Sequence, residues 1–252
     1  MNPYVIRFIS AGRKRGKTSL AMRVVSELVS RGYVVSVVKH SSHQVDVASK
    51  DSSKYVSAGA KEVLVSSKNV GVFFYNEWVD DLEYSLSYLT TPVVVVEGFK
   101  ESSVGDAIAV VNDLREFQEL SRVAHNLIAA VSDNEEVKLK LSESLKVFER
   151  NNIGLITDFV EAKLLSFLES QTPRTNCGYC GYETCRAFVK AFAKGKTRWC
   201  PVKSEVSLVI NGNPVPMNPF VKKVLRSVIE GFVSSLKKVD MNRKNITIEI
   251  NY

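Results

Sequence analysis

The sequence lacks any apolar run of the roughly 18 residues that a membrane-spanning helix requires. Its first residues show neither the charged segment nor the apolar stretch of a secretory leader. Cysteine is scarce, with four residues in 252. These absences argue against a membrane or secreted protein, so we expect a cytoplasmic location and no membrane partner. Because thiols stay reduced there, the cysteines indicate metal or redox chemistry before disulfides.

Positive charge is concentrated at one end of the chain. Residues 171–252 hold 14 Lys or Arg against 5 Asp or Glu, a net charge of +9, whereas residues 1–170 hold 20 against 22. This excess is typical of a surface for an anionic partner, and equally of a solvated basic face partly neutralised by metal-bound thiolates. No recognised nucleic-acid-binding motif accompanies it, so we do not expect nucleic acid as the partner.

A phosphate-binding loop stands between the first apolar segment and the first helical pattern. Residues 11–18 read Ala-Gly-Arg-Lys-Arg-Gly-Lys-Thr, which is the P-loop pattern with alanine in the first glycine position. In such a loop, backbone N–H groups cradle phosphates, the lysine reaches the outer phosphates and the hydroxyl binds Mg²⁺. We therefore assign the Mg²⁺ contact to Thr18. The predicted nucleotide-binding residues are Gly12, Arg13, Lys14, Arg15, Gly16, Lys17, Thr18 and Ser19.

Two later strand ends carry polar groups that predict further parts of this site. Glu97 closes the apolar segment 92–96, and in P-loop folds an acid there lies near Mg²⁺ or positions water. Another polar group follows the apolar segment 34–38. Because the carboxyl ends of parallel strands share one edge of a sheet, that group predicts a mouth for Mg²⁺, phosphate or a second ligand. Its members are Lys39, His40, His43 and Asp46.

The first 170 residues alternate apolar segments with helical patterns. Most of the segments are continuously apolar, which is typical of a parallel sheet buried on both faces. The pattern predicts an α/β fold of the P-loop NTPase type, with a mostly parallel sheet and helices on both faces. Strands are predicted at 5–9, 34–38, 63–65, 70–74, 92–96, 107–111 and 127–131, and helices at 17–30, 51–58, 76–89, 113–120, 135–148 and 157–168.

The character of the chain changes near residue 171. Residues 171–203 contain every cysteine and little apolar periodicity. Beyond them, the pattern predicts strands at 206–210 and 246–250 with an amphipathic helix at 220–236 between them. We therefore predict a P-loop nucleotide-binding domain (1–170), a small four-cysteine metal module (171–203) and an α+β tail (204–252).

Several short segments in register resemble the MobB family, the GTP-binding adaptor proteins of molybdopterin guanine dinucleotide biosynthesis. The resemblance covers roughly residues 1–170, in which the order and approximate spacing of the segments also match. The departures are the alanine that begins the loop and the long basic extension. The matching segments are 11–18, 38–40 with His43 and Asp46, 50–52 with 58–60, and Val-Glu-Gly-Phe-Lys at 96–100.

The resemblance implies an often dimeric protein that binds GTP with Mg²⁺ and hydrolyses it weakly or not at all. The implied partners are GTP, molybdopterin nucleotidyltransferase or a molybdoenzyme apoprotein, and a second copy of the chain. Carried over by position, Asp51 and Glu97 are the acids near the metal and the catalytic candidates for a slow Mg²⁺-dependent GTPase. A guanine-reading Asn-Lys-x-Asp motif is absent, and Asp133 is the best positional candidate to read the base.

The four cysteines have the spacing of a metal site. Cys177, Cys180 and Cys185 form a C-x₂-C-x₄-C group, and Cys200 follows fourteen residues later, before a proline. Three close thiolates with a distant Cys-Pro are typical of a [4Fe–4S] cluster. The segment resembles the four-cysteine iron–sulfur domain of the B subunit of Rnf complexes and of corrinoid iron–sulfur proteins. Structural zinc, which also takes four thiolates, stays open as an alternative.

Three functions are compatible with this sequence. The first is a GTP-binding accessory protein of molybdenum or tungsten cofactor biosynthesis, which the resemblance favours. The second is an iron–sulfur electron-transfer protein in which nucleotide hydrolysis gates the cluster. The third is a protein-docking module that the metal only stabilises. Metal content, hydrolysis rate and the identity of the partner distinguish them.

Overall fold

A computed structural model of the chain describes residues 1–41, 50–198, 200–202, 206–215, 217–237 and 246–250. They form two compact units. The sheet unit comprises Met1–Leu168 with Ala193–Gly195, and the cysteine unit comprises Glu169–Phe192 with Lys196–Tyr252. Within the described ranges, every helix is too short or too polar to cross a lipid bilayer. The further division of residues 171–252 into a module and a tail stays a prediction.

The first two thirds of the chain supply the elements of the sheet unit. The P-loop sequence lies between the first strand and the first helix, as predicted. The elements are β1 (Tyr4–Ile9), α1 (Lys17–Ser30), β2 (Val35–Lys39), α2 (Lys50–Ser57), β3 (Glu62–Ser66), β4 (Gly71–Tyr75), α3 (Leu82–Leu86), β5 (Val93–Glu97), β6 (Asp106–Val110), α4 (Leu114–Ser121), β7 (Leu127–Val131), α5 (Glu135–Leu141), β8 (Lys146–Phe148) and α6 (Ile153–Ser170).

Six strands form one sheet in the order β2-β5-β1-β6-β7-β8. All its pairings are parallel. Across the sheet, the connection from β1 leads to β2 at one edge, whereas the connections from β6 through β7 to β8 lead toward the other edge. Because such crossovers are right-handed, α1 covers one face and α4 and α5 cover the other. The predicted P-loop NTPase-like fold is therefore confirmed. Strands β3 and β4, which correspond to the strands predicted at 63–65 and 70–74, form a separate antiparallel hairpin.

A buried arginine interrupts the apolar core at the centre of β1. Val5, Arg7 and Ile9 share one face of the strand. Val5 belongs to an apolar cluster that includes Leu82, and Ile9 belongs to a second cluster with residues of β6, β7 and α5. The Arg7 guanidinium donates to the Phe99 carbonyl at 2.9 Å and to another carbonyl, that of residue 125, at 2.7 Å. Burial lowers the pKa of Arg7, yet an arginine keeps its charge in proteins.

Two predicted helices are wrong in extent. Residues 76–89 were expected to form one helix, but α3 covers only Leu82–Leu86. The Asp81 side chain accepts a hydrogen bond from the Tyr84 N–H at 2.9 Å and so caps the first turn. Upstream, Glu77 has a left-handed backbone with φ 62°, which a right-handed helix cannot include.

The predicted helix 135–148 is also wrong, because α5 ends at Leu141 and β8 follows. Apolar residues at 137, 141 and 145 have the spacing of a helix, whereas three-residue β8 is too short to show a strand pattern. Pairing with β7 decides its conformation. The next helix, α6, begins at Ile153 rather than at residue 157.

The cysteine unit contains α7 (Cys185–Ala193), β9 (Leu208–Ile210), β10 (Asn213–Val215) and α8 (Pro219–Ser235). Helix α7 was not predicted. Strands β9 and β10 form an antiparallel hairpin, and both turn residues, Asn211 and Gly212, have positive φ, as a two-residue hairpin turn requires. The strand predicted at 206–210 is shortened to β9. The strand predicted at 246–250 is wrong, because this segment has no regular structure and pairs with no described strand.

Candidate nucleotide and metal sites

The P-loop sequence forms the connection between β1 and α1. Gly16 is the N-cap of α1 and has φ 76°, a left-handed conformation that glycine adopts without strain. The helix begins at Lys17, and the Leu20 N–H donates to the Gly16 carbonyl at 3.0 Å. The loop therefore lies at the positive end of the α1 dipole, where unpaired N–H groups bind anions. Lys17 is half-buried, and Arg13, Lys14 and Ser19 are exposed.

Thr18 and Glu97 lie together at the carboxyl edge of the sheet. The Thr18 hydroxyl donates to a Glu97 carboxylate oxygen at 2.5 Å. The parallel pairing of β1 with β5 sets this proximity, because Phe8 is opposite Glu97. The Lys39 ammonium lies 4.0 Å from the other Glu97 oxygen. A hydroxyl and a carboxylate are the kinds of oxygen ligand that Mg²⁺ takes in nucleotide sites.

One loop arginine is anchored by a carboxylate. Arg15 forms an ion pair with Glu116 at 2.6 Å, and the Glu116 side chain is 10% exposed. The same carboxylate accepts a hydrogen bond from the Asn112 N–H at 2.8 Å. In this arrangement Arg15 fastens the loop to the first turn of α4. Its contact with phosphate stays a prediction.

His40 joins Lys39 beside Glu97 at the predicted mouth. The backbone N–H of His40 donates to the backbone carbonyl of Glu97 at 2.9 Å. The imidazole ring of His40 stacks on the Phe99 ring with 4.4 Å between the ring centroids. The imidazole Nε2 lies 3.0 Å from a carboxylate oxygen of Asp80. A Cβ on Gly98 would lie 2.8 Å from the His40 Cβ, so this close approach requires glycine. The other candidates, His43 and Asp46, lie outside the described residues, as does the Asp51 side chain.

Arg150 and Asp133 form a polar group on the other side of the P-loop. The Arg150 N–H donates to Asp133 at 2.9 Å, and the guanidinium donates to the Asn112 side chain at 2.5 Å. A Cβ on Gly16 would lie 4.0 Å from the Arg150 Nε. Asp133, the candidate base reader, is thus engaged by Arg150, and its role in reading the base stays a prediction. The sequence analysis missed Arg150 because it missed β8, whose carboxyl end precedes it.

All four cysteines line one cavity in the cysteine unit. Cys185 and Cys200 are buried, and Cys177 and Cys180 are half-buried. Cys185 is the first residue of α7, and its N–H donates to the Asn176 side chain at 2.8 Å. The rest of the wall includes the apolar side chains of Pro173, Phe188 and Val202.

A buried lysine lies near these cysteines. Lys222 on α8 is 5% exposed, and its ammonium donates to the Val202 carbonyl. Burial lowers the pKa of Lys222, and the proximity of Cys200 and Cys177 opposes that shift. The sequence analysis missed Lys222, because a lysine in an amphipathic helix is normally solvated. The signal that could have marked it is its helical spacing from Leu225 and Ile229, which are half-buried.

Two family models match the chain. The model described as MobB, molybdopterin guanine dinucleotide synthesis protein B, matches residues 5–133. A model described as a candidate Fe-S cluster matches residues 173–201. The first match contains the P-loop, and the second contains all four cysteines.

Curated proteins and solved structures agree with these matches. A candidate molybdopterin-guanine dinucleotide biosynthesis adapter protein of Methanocaldococcus jannaschii is 30% identical over 243 residues, which are 94% of this chain and 93% of that protein. The adapter protein of Haemophilus influenzae is 31% identical over 60% of this chain and 85% of its own length. A crystal structure of molybdopterin-guanine biosynthesis protein B has TM-score 0.51 at 26% identity, covering 63% of this chain and 99% of that chain. The crystal structure of Bacillus subtilis MobB has TM-score 0.53 at 20% identity, covers 64% of this chain and 97% of that chain, and supports the fold.

Proposed function

Because the chain belongs to the MobB family of molybdopterin guanine dinucleotide synthesis proteins, we propose that it is a GTP-binding accessory protein in the biosynthesis of this molybdenum cofactor or its tungsten counterpart. The observation that carries the proposal is the P-loop at the carboxyl edge of β1 with Thr18 and Glu97 2.5 Å apart. The names of the relatives supply the pathway. The site supplies a place for a nucleotide phosphate and its metal.

Each end of the nucleotide has candidate ligands. The N–H groups at the start of α1 and the Lys17 ammonium would hold the β and γ phosphates. Thr18 and Glu97 would bind Mg²⁺ directly or through water. Asp133 is the candidate reader of the base, and it would have to exchange its hydrogen bond from Arg150 for hydrogen bonds from guanine. GTP is proposed over ATP because the relatives are named for a guanine dinucleotide product.

The surroundings of Glu97 favour binding over rapid hydrolysis. One carboxylate oxygen accepts the Thr18 hydrogen bond, and the other faces Lys39. A carboxylate committed to the metal and to a cation is a poor general base for water. We therefore propose that the protein is at most a slow Mg²⁺-dependent GTPase. The catalytic role of Asp51 stays a prediction.

The mouth beside Glu97 suits a second anionic ligand. Lys39 supplies a cation whose side chain is 62% exposed. His40, held by Asp80 and Phe99, places an imidazole ring beside it. We propose that this pair contacts the phosphate of molybdopterin or an acidic side chain of the nucleotidyltransferase or apoenzyme. The homodimer and the cytoplasmic location stay predictions.

We further propose that the four cysteines hold a [4Fe–4S] cluster. The residues fit such a group, because four thiols surround one cavity with an apolar wall. Structural zinc also takes four thiolates, but the C-x₂-C-x₄-C group followed by a distant Cys-Pro favours the cluster. When bound, it would supply one-electron chemistry and cross-link the loop to α7.

The nucleotide site is tested with Lys17→Ala, matched with Lys163→Ala, an exposed lysine on α6. Calorimetry on the full chain with Mg²⁺ should show GTP binding for the wild type and for Lys163→Ala. Lys17→Ala should bind about 100-fold more weakly, because it loses two charge-assisted hydrogen bonds of roughly 1.5 kcal/mol each. Iron and sulfide content should not change.

The pathway is tested by adding the protein to molybdopterin, GTP and molybdopterin nucleotidyltransferase. Formation of the guanine dinucleotide should accelerate with the wild type and not with Lys17→Ala. Equal stimulation by both proteins, or equal affinity for ATP and GTP, would contradict the proposed function.

A further inference from the structure

Helix α8 buries a lysine where an amphipathic helix ordinarily buries apolar side chains. Among the side chains described on α8, Lys222 alone is buried. Phe220, Val228 and Phe232 are 73%, 62% and 61% exposed. Leu225, Ile229 and Val233, on the same side of the helix, are half-buried. The most deeply buried described side chain of α8 is therefore a charged group rather than an apolar one.

The surroundings of Lys222 identify its electrostatic partners. Its ammonium donates to the carbonyl of Val202, a residue that lines the cysteine cavity. Cys200 and Cys177 are close enough to act electrostatically on this ammonium. Both are predicted cluster ligands. The lysine thus faces the place where the thiolates and the inorganic core would carry their charge.

Without a cluster, this arrangement is energetically unfavourable. Among the described residues, the hydrogen bond of the Lys222 ammonium goes to a neutral carbonyl, which compensates only part of the desolvation cost of a buried charge. Four thiolates around an iron–sulfur core carry net negative charge, which offsets that cost. The burial of Lys222 is therefore expected to depend on a loaded site.

We propose that Lys222 is a positioning residue of the iron–sulfur site, whose ammonium balances the charge of the bound cluster and holds α8 in the cysteine unit while the cluster is present. This inference rests on the proposed cluster. It has two consequences. The ammonium stabilises the reduced cluster, which carries one more negative charge, and loss of the cluster releases α8 with its exposed apolar side chains.

The first test is the midpoint potential of the cluster in Lys222→Met, with Lys223→Met as the matched control. Lys223 is the next residue on the same helix and is exposed. The full chain is purified without air, assayed for iron and sulfide, and titrated with detection by electron paramagnetic resonance. We expect Lys222→Met to shift the reduction equilibrium at least tenfold toward the oxidised form, about 59 mV for one electron. Lys223→Met should leave the potential unchanged, because its charge is screened by water.

The second test is hydrogen exchange of the α8 amides. In the wild type, we expect protection of residues 222–235 to fall at least tenfold when iron is removed with a chelator. In loaded Lys222→Met, these amides should already have lost protection. Equal potentials for the two variants at full iron content would overturn the proposal, and so would α8 protection that does not respond to iron.

A variant that assembles no cluster is also informative. If Lys222→Met contains no iron, Lys222→Arg and Lys222→Gln are compared instead. The proposal requires that the arginine variant retain iron and sulfide and the glutamine variant lose them. Loss from both, or retention by both with equal potentials, would overturn the role of charge. Failure of the proposed cluster is distinguishable, because wild-type protein would then lack iron and sulfide before any variant is made.

Discussion

The sheet unit and the cysteine unit differ in what they bury. Strands β1, β5 and β6 of the sheet unit are almost wholly inaccessible, and their side chains are apolar apart from Arg7, Glu97 and Asp106. The cysteine unit buries few apolar side chains and places two thiols and a lysine among them. Its buried described residues are Thr172, Cys185, Phe188, Val189, Ala191, Cys200, Met217 and Lys222.

This difference shows which unit can fold from its own side chains. Burial of a full parallel sheet releases enough apolar surface from water to offset the loss of chain entropy. A unit with a handful of buried apolar residues usually needs a disulfide or a metal. The four cysteines form no disulfide in the structure, and the proposed cluster is the candidate source of stability. We therefore expect folding of the cysteine unit to depend on its cluster.

Removal of the cluster should have the largest effect. Metal binding contributes on the order of 10 kcal/mol to folding of small metal-dependent domains. Chelation or oxidation of the cluster should therefore abolish amide protection in residues 176–192 and 206–235. Protection in β1, β5 and β6 should stay, as should GTP affinity. Hydrogen exchange resolved by peptide measures both units in one sample.

Two results would contradict this difference between the units. If the apoprotein keeps its protection at Phe188 and Val189, the cysteine unit folds without metal and the cysteines serve another purpose. If the strands of the sheet unit lose protection as well, the two units fold as one cooperative body. Addition of iron and sulfide to the apoprotein under reducing conditions is the control, and it should restore the exchange pattern of the loaded protein.

The sequence alone predicted those parts of the fold that local patterns determine. The observed bounds of α1 and β7 are the predicted ones, Lys17–Ser30 and Leu127–Val131. Continuous apolar runs of five residues leave a buried parallel strand as the simplest reading. The loop motif and the strand-end acid predicted a shared site, and the structure places Thr18 and Glu97 in contact.

Tertiary contacts determined the parts that sequence reasoning missed. β8 is a strand because β7 is beside it, although its residues continue a helical spacing. Arg150 reaches Asn112 and Asp133 across 38 and 17 residues of chain, and no local pattern encodes such a contact. A lysine is normally exposed to solvent, so the sequence did not indicate that Lys222 is buried. In each case the partner is distant in sequence, so periodicity carried no signal.

Deletion of one core side chain in each unit should sharpen the comparison. Ile108→Ala removes a side chain from β6 that is 0% exposed, and Phe188→Ala removes one from the cysteine cavity that is 1% exposed. The first should lower the unfolding free energy of the sheet unit by about 2–5 kcal/mol. The second should cost about 3–5 kcal/mol in the cysteine unit and reduce its iron content. Calorimetry measures the unfolding free energy of each unit, and an iron assay measures the iron content.

The two variants act as controls for each other. Ile108→Ala should keep its iron and sulfide, and Phe188→Ala should keep wild-type affinity for GTP. Equal loss of GTP affinity and of iron in both variants would mean that the units are not independently stable.

The smallest expected effect comes from the segment Ala193–Gly195, which follows α7 but belongs to the sheet unit. The Lys194 ammonium donates to the Arg31 carbonyl at 2.6 Å and lies 5.2 Å from the centroid of the Tyr33 ring. Lys194→Ala loses one hydrogen bond to a charged donor and one cation–π contact, so the sheet unit should lose about 1–2 kcal/mol. The melting temperature of the sheet unit should fall by roughly 2–4 °C for each kcal/mol.

Lys196→Ala, two residues further in the cysteine unit, is the matched control and should leave this transition unchanged, because Lys196 is exposed. A shift confined to the cysteine unit would show that this segment stabilises that unit instead, and the boundary between the two units would have to be moved. The same shift of the sheet-unit transition in both variants would show that the Lys194 contacts do not account for it.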